Sequence, residues 1–345
     1  NFERLAPVMT STKDTQTKFA GLSVVLRSTQ TVSDATPLTS WLPELSPAWI
    51  PQRYIDGVTK IMPVLPQPAL YEDLMQSILR QIGSNNLVEW RQKPYELTGV
   101  EVNNNSLHSI QVSINPVSPL PPTIARSVHA LCFQWFANTD PALAQTLHEQ
   151  DNLPMTSGIE YCSPKKVLLK INLLQKELLA PLLWGMSKDL GNEINIAGIP
   201  CRLNAWVDIV QATSYEKLMQ VPAQNFIELE FLTPTSFKQG KHIQPFPLLE
   251  LVLNGLLRRW NKFAPENLHF SPVEWNGVVS AYELKTYAMK MEGGGEIGAE
   301  GRVKYRFADA EQAKIATVLA NFACFAGVGR KTTMGMGQTR ISNEC

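Results

Sequence analysis

One stretch near the C-terminus limits what this chain can build: Phe325-Ala326-Gly327-Val328-Gly329-Arg330-Lys331-Thr332-Thr333-Met334-Gly335-Met336-Gly337-Gln338-Thr339-Arg340. Four glycines and a basic pair join a helix-like run, residues 311–325, to a short closing segment. Glycine reaches positive φ and admits another backbone closely because it has no Cβ. A loop dense in glycine and flanked by Arg and Lys therefore suits an anionic backbone. Its spacing excludes the two commonest phosphate loops. A Walker loop needs G-x-x-x-x-G-K-[ST] after a strand, and the dinucleotide fingerprint opens a helix with G-x-G-x-x-G. Here the loop follows a helix, and Gly329 and Gly335 are too far apart. The competing reading is a plain helix C-cap at Gly327 and a tight turn.

With 345 residues the chain has room for two or three domains, and 44% hydrophobic against 18% charged residues mark it as globular. A formal net charge of +0 gives no global argument for a nucleic-acid partner, so any basic surface must be local. The cysteines, Cys132, Cys162, Cys201, Cys324 and Cys345, are odd in number and scattered without C-x-x-C. They read as reduced thiols of a cytoplasmic protein, with neither a zinc site nor a disulfide framework. His129 and Cys132 share a helix face in an apolar run and read as packed core positions. The apolar stretch 178–186 is broken by Pro181 and too short to span a bilayer. No signal peptide is visible, and a first residue of Asn points to a trimmed chain or one cut from a longer polypeptide.

Along the chain, residues 1–105 stand apart as an accessory segment. A strand is expected near residues 21–26, then an extended, turn-rich path through Pro37, Pro43, Pro47, Pro51, Pro63, Pro66 and Pro68. Trp41, Trp49, Ile50 and Tyr54 argue against a plain flexible linker, and Trp41 and Trp49 read as anchors of a surface that docks a neighbouring protein, so a chain starting near Ser106 should fold alone. Residues 71–82 form an expected helix stopped by Gly83. Residues 106–222 then give β-α-β-β-α-β: a strand at 107–114, a helix at 122–137, and a short helix capped by Asp140-Pro141 and ending at His148. Strands at 155–161 and 167–173, a helix at 176–188 and a closing strand at 202–210 complete the unit. Residues 223–345 repeat the order, with strands at 226–232, 278–291, 300–307 and 338–341 and helices at 248–260 and 311–325. The fold class is α+β, two tandem ferredoxin-like (RRM-like) domains behind the accessory segment.

Three stretches carry a family resemblance: Asp140-Pro141-Ala142-Leu143-Ala144-Gln145-Thr146-Leu147-His148-Glu149; residues 229–237 with 256–260; and Ala326 to Arg340. From Ser106 onward the chain resembles the CRISPR repeat-processing endoribonucleases of the RAMP superfamily. The resemblance implies metal-independent cleavage of precursor CRISPR RNA, with the 2′-hydroxyl as internal nucleophile, no cofactor and no membrane. It makes His148 the cleaving histidine, since imidazole titrates near neutrality. Tyr161, Lys165 and Lys331 are the nearest substitutes for the family's tyrosine and lysine. RNA contacts are expected from Gly327, Gly329, Arg330, Lys331, Gly335, Gly337, Arg258, Arg259, Lys304 and Arg340. His108, His242 and His269 read as exposed or loop-packed. The partners implied are CRISPR repeat RNA, the mature guide and other effector subunits. The alternative is a catalytically inactive guide-binding subunit of an effector complex.

Overall fold

The structure is a computed structural model that describes residues 21–30, 35–42, 44–52, 59–66, 71–84 and 87–342; Pro43, Tyr54, Pro68 and Cys345 lie outside them. The N-terminal stretch is not the extended path its prolines suggest. Its strands are β1 (Gly21–Ser28), β2 (Thr36–Pro37), β3 (Ala48–Pro51), β4 (Thr59–Val64), β5 (Leu87–Trp90) and β6 (Lys93–Asn103). They form one sheet of order β2-β5-β6-β1-β4-β3. The prolines sit where a missing N–H costs least: Pro37 and Pro51 end their strands, and Pro63 lies past the part of β4 paired with β1. Helix α1 (Tyr71–Gly83) presses Tyr71, Leu74 and Ile78 onto Leu22, Val24 and Leu26. Trp41 is only 4% exposed and Trp49 packs on the same core, so neither is a free docking anchor.

This sheet is also joined to the middle of the chain. Ile50, Met62 and Val64 lie in the same apolar core as Ile110, Trp135 and Leu182. The Val207 amide donates to the Pro51 carbonyl at 3.0 Å. His108, expected at an exposed strand start, is fully buried near this junction, with Nε2 3.4 Å from the Asn103 amide nitrogen. Burial pulls its pKa down to about 4.

The middle unit runs β7 (Leu107–Pro116), α2 (Ala125–Thr139), α3 (Pro141–His148), β8 (Met155–Ser163), β9 (Lys166–Leu173), α4 (Leu179–Met186), β10 (Glu193–Ile196), β11 (Ile199–Leu203) and β12 (Asp208–Thr213). The sheet order is β10-β11-β7-β9-β8, and β12 also pairs with β7. The single closing strand expected at 202–210 is therefore two strands: Leu203 ends β11 opposite Ile114, and Asp208 opens β12 opposite Gln111. The hairpin before it turns on Ala197 and Gly198, both at positive φ, a conformation seldom signalled by Ala. The apolar stretch around Pro181 is α4, buried against α2. Among the described residues no helix is long and apolar enough to cross a membrane.

Helix α5 (Tyr215–Met219) leads into the last unit, where the buried Tyr215 hydroxyl donates to the Leu174 carbonyl at 2.8 Å. Strand β13 (Phe226–Thr235) is followed by the hairpin β14 (Phe237–Gln239) and β15 (His242–Gln244), then α6 (Leu249–Phe263), β16 (Gly277–Met291), β17 (Gly294–Phe307), α7 (Ala310–Ala326) and β18 (Thr339–Ile341). The sheet order is β16-β17-β13-β18. Alternation sends Ile227, Leu229, Phe231, Val303 and Tyr305 to the helix side, against Leu253, Trp260 and Phe322. Among the other expected positions, His242 is exposed and the His269 ring lies 2.9 Å from the Ala264 carbonyl. Cys132 and Cys201 are buried; these two, Cys162 and Cys324 are free thiols.

The glycine loop folds back on its own protein. Gly327 caps α7 at φ 66°, its amide donating to Ala323. The Val328 amide donates to Gly337 at 2.8 Å, Arg330 to Ser236 at 2.9 Å, and Gly337 to Pro234 at 3.2 Å. A Cβ on Gly337 would overlap the Val328 carbonyl oxygen, and one on Gly329 the Ser236 carbonyl oxygen. The close backbone approach permitted at these glycines is thus first to the protein's own chain.

This packing has two measurable consequences. A chain beginning at Ser106 loses the partners of Ile110 and Leu182 and exposes apolar surface. About 1.5–3 kcal/mol is forfeited per uncovered side chain, and the truncated chain should aggregate or melt far below the full one. Soluble expression with an unchanged melting curve would contradict the shared core. Gly337→Ala should cost about 2 kcal/mol or more, from overlap and from φ 68°, seen as a lower Tm before any effect on ligand binding.

Candidate nucleic-acid site

Helix α3 owes its existence to its start. The Asp140 side chain accepts from the amides of Ala142 (2.9 Å) and Leu143 (3.2 Å), and Pro141 supplies a preset φ at the first helical position. Ala144 and Leu147 are buried, which leaves His148, at the helix end, exposed. Its ring packs edge-on against Phe133 of α2, centroids 5.5 Å apart. One turn earlier on α2, His129 lies against the other side of the site, 4.7 Å from the same Phe133 ring.

His129 is therefore not the plain core residue its apolar neighbours suggest. It is half-buried and sits at the backbone of Thr333 in the glycine loop. Burial pulls its pKa down; the Thr333 backbone opposes this, and the nearby His148 charge lowers it further. The Ser157 hydroxyl of β8 donates to the Thr333 carbonyl at 2.7 Å and pins the loop here. Two imidazoles, one phenyl ring and the loop thus converge from α2, α3, β8 and residues 332–334. The signal available in the sequence was the spacing: His129 and Phe133 are one helical turn apart, facing the helix that ends in His148.

The other expected catalytic residues are not gathered there. Tyr161 is half-exposed, and its hydroxyl donates to Pro121 at 3.2 Å. Burial of the ring raises its pKa, and it lines a small groove of about 60 Å³ with Val128, Met289 and Met334. Lys165 lies in the turn between β8 and β9, ten residues from Met155. At about 3.3 Å per residue that is roughly 30 Å along the hairpin from where the α3 segment enters. Lys331 and Arg330 both turn to Glu296 of β17, Arg330 at 3.1 Å and Lys331 closer. The Lys331 hydrogen bond, followed by that of Arg330, holds the Glu296 carboxyl below the usual carboxylate range, against the effect of burial.

The residues expected to touch RNA divide into three groups. Arg259 points inward. Its Nη1 donates to the Ala326 carbonyl and to Thr332 Oγ1 (3.0 Å), and its Nη2 to the Leu153 carbonyl (3.1 Å). Burial lowers its pKa to about 10, so it stays charged at neutral pH. Lys304 and Arg340 lie on the helix-free sheet face. Lys304 is 3.8 Å from Glu228 and stacks over Phe226, while Arg340 donates to Glu230 at 2.7 Å. The third group surrounds a cavity of about 300 Å³ beside the loop. Arg258, Lys238, Asn152 and Asn254 line it with Gly327, Gly329 and Arg330. Glu250 is the acidic residue among the lining groups.

Comparison with known proteins places this geometry. Residues 229–339 match the family described as CRISPR-associated endoribonuclease Cas6. A CRISPR-associated endoribonuclease Cas6 of Streptococcus thermophilus is 21% identical over 163 residues, 44% of this chain and 66% of that protein. A Cas6 product complex superposes with a TM-score of 0.63 at 25% identity, covering 69% of this chain and 100% of its own. A Thermus thermophilus Cas6 does so at 0.56 and 27%, covering 69% and 99%. Family profile, curated relative and solved structures all point the same way: this chain is similar to Cas6-type proteins, and residues 229–339 carry the family match.

Proposed function

We propose that this chain binds CRISPR repeat RNA and cuts the precursor into guide RNAs as a metal-independent endoribonuclease acting in the cytoplasm. In this reading residues 106–222 and 223–345 are the tandem ferredoxin-like domains, with residues 1–105 an addition welded to the first. The observation that carries it is the pair of imidazoles, His129 and His148, that both pack against Phe133 beside the loop. Cleavage without metal needs a base for the 2′-hydroxyl, an acid for the leaving 5′ oxygen, and positive charge near the phosphorane. His129, held neutral by burial, is suited to accept the 2′-hydroxyl proton. His148, the exposed ring, then donates to the 5′ oxygen. The 2′ oxygen attacks the phosphorus, the bond to the 5′ oxygen breaks, and a 2′,3′-cyclic phosphate and a 5′-hydroxyl result. Tyr161 and Lys165 have no part in this step, and Lys331 must leave Glu296 before it can meet a phosphate.

That last requirement favours a second reading, a guide-binding subunit of an effector complex that does not cut. Its loop cations are neutralised within the protein, as Arg330 and Lys331 are by Glu296. A labelled repeat RNA incubated with the protein in EDTA separates the two readings, because only the first gives products.

His148→Ala and His129→Ala should each slow single-turnover cleavage by about 10²–10⁴-fold while repeat affinity stays within a few-fold. The wild-type rate should fall on acidification only below an ordinary histidine pKa, since His129 becomes protonated there. Cleavage by His148→Ala at the wild-type rate would leave the binding reading alone. Glu296→Gln should release two cations, tightening RNA binding and steepening the salt dependence by up to about 1.5 in slope. An unchanged slope would place the RNA elsewhere.

A further inference from the structure

Strand β16 is a 15-residue sheet edge with a single neighbour, β17. Among the described residues no backbone group of a loop or turn hydrogen-bonds to residues 277–291. A long unpaired edge offers a row of donors and acceptors to another strand, and proteins usually blunt such edges with charge, proline or a cover. Here the edge carries large exposed apolar groups, Tyr282 at 65% and Tyr287 at 47%, between the charged Glu283, Lys285 and Lys290. Along it runs an open groove of about 700 Å³ bounded by Phe246, Tyr282, Leu284 and Tyr287.

Charge says which strand fits. One row across the sheet alternates in sign: Arg340 opposite Glu230, Glu230 opposite Arg302, Arg302 opposite Glu283. Two links of the row are ion pairs, Arg340–Glu230 at 2.7 Å and Arg302–Glu230 at 3.7 Å. The row ends in Glu283 on the free edge. Two residues on, and on the same face, stands Lys285, opposite Glu300 of β17. An antiparallel copy of β16 centred on Leu284 would set Glu283 against the partner's Lys285, and Lys285 against the partner's Glu283. The alternation then continues unbroken into the second sheet, and Leu284 meets its own symmetry mate in the groove.

We propose that two copies of this chain pair through β16 about a two-fold axis at Leu284, joining their C-terminal sheets into one eight-stranded sheet. Such an interface is isologous, the commonest arrangement for homodimers. The regular stretch from Ala281 to Tyr287 supplies about six to eight interchain backbone hydrogen bonds. It covers Tyr282 and Tyr287, and the bulge between Val279 and Ala281 ends the regular pairing at one side. Pairing of this kind needs no cleavage and is independent of the catalytic reading.

Light scattering of the full chain at micromolar concentration, without RNA, tests it. The wild-type chain should show twice the chain mass. Glu283→Lys and Lys285→Glu each set like charges together twice per dimer, and each should weaken association at least about tenfold and run at the single-chain mass. Their equimolar mixture sets opposite charges together again and should recover the double mass. A wild-type chain of single mass overturns the proposal. So does a variant that keeps the double mass, a mixture that stays single, or pairing that appears only when RNA is added.

Discussion

The guanidinium of Arg259 is where three parts of the molecule meet. It leaves α6, reaches the end of α7 at Ala326, the loop at Thr332, and the segment entering β8 at Leu153. Taking a cation out of water costs several kcal/mol, and neutral acceptors offset that only if their geometry is fixed. The three acceptors belong to three separate segments, so the charge holds those segments at set distances. With Val328, Arg330 and Gly337 bonded to neighbouring backbone, the loop is then a rigid shelf and not a flexible flap. Its rigidity brings Thr333 to Ser157 and to His129. The histidine pair is consequently built on the loop as much as on its own helices.

Several surface cations near the loop and on the last sheet are also matched within the protein: Lys331 and Arg330 share Glu296, Arg302 and Arg340 share Glu230, and Lys304 has Glu228. Exposed pairs of this kind contribute little to stability. Their effect is on binding, since an incoming phosphate must compete with a carboxylate already in place. On the helix-free face of the C-terminal sheet, Arg302, Lys304 and Arg340 are all held in such pairs. The cavity beside the loop adds Arg258 and Lys238 to the surface, with Glu250 among its lining groups.

What could be read from the sequence was whatever is local. The cap at Asp140-Pro141, the alternation of β13 and the apolar face of α6 each declare themselves within a few residues, and the structure holds all three. The N-terminal sheet was hidden because its order depends on pairings between distant strands, and its prolines mimic a linker until their places at strand ends are seen. His129 was hidden by the apolar run around it; what distinguishes it is the loop, which arrives some two hundred residues later in the chain. Arg259 looked like one of a basic pair at a helix end, and only the fold shows that it turns inward while Arg258 turns out. The loop glycines were legible as a demand for close approach. Which backbone would approach was not.

The long hairpin of β16 and β17 links these features. Its base carries the free edge, Arg302 and Glu283, and its outer half carries Glu296 over the loop. Near its tip Glu292 reaches Arg126 of α2 at 3.0 Å, three residues before His129, and Met289 closes over Val128 and Met334. A two-stranded ribbon projecting from a sheet bends more readily than the packed sheet itself, because fewer buried contacts hold it. The distance from Glu296 to Arg330 and Lys331 is therefore set partly by how firmly that ribbon is held. A strand laid along β16 adds backbone hydrogen bonds to the ribbon and stiffens it. That would keep Glu296 on the loop cations and raise the cost for a phosphate to displace it. The edge and the loop are far apart in sequence, but one hairpin carries both the pairing surface and the carboxylate that guards the loop.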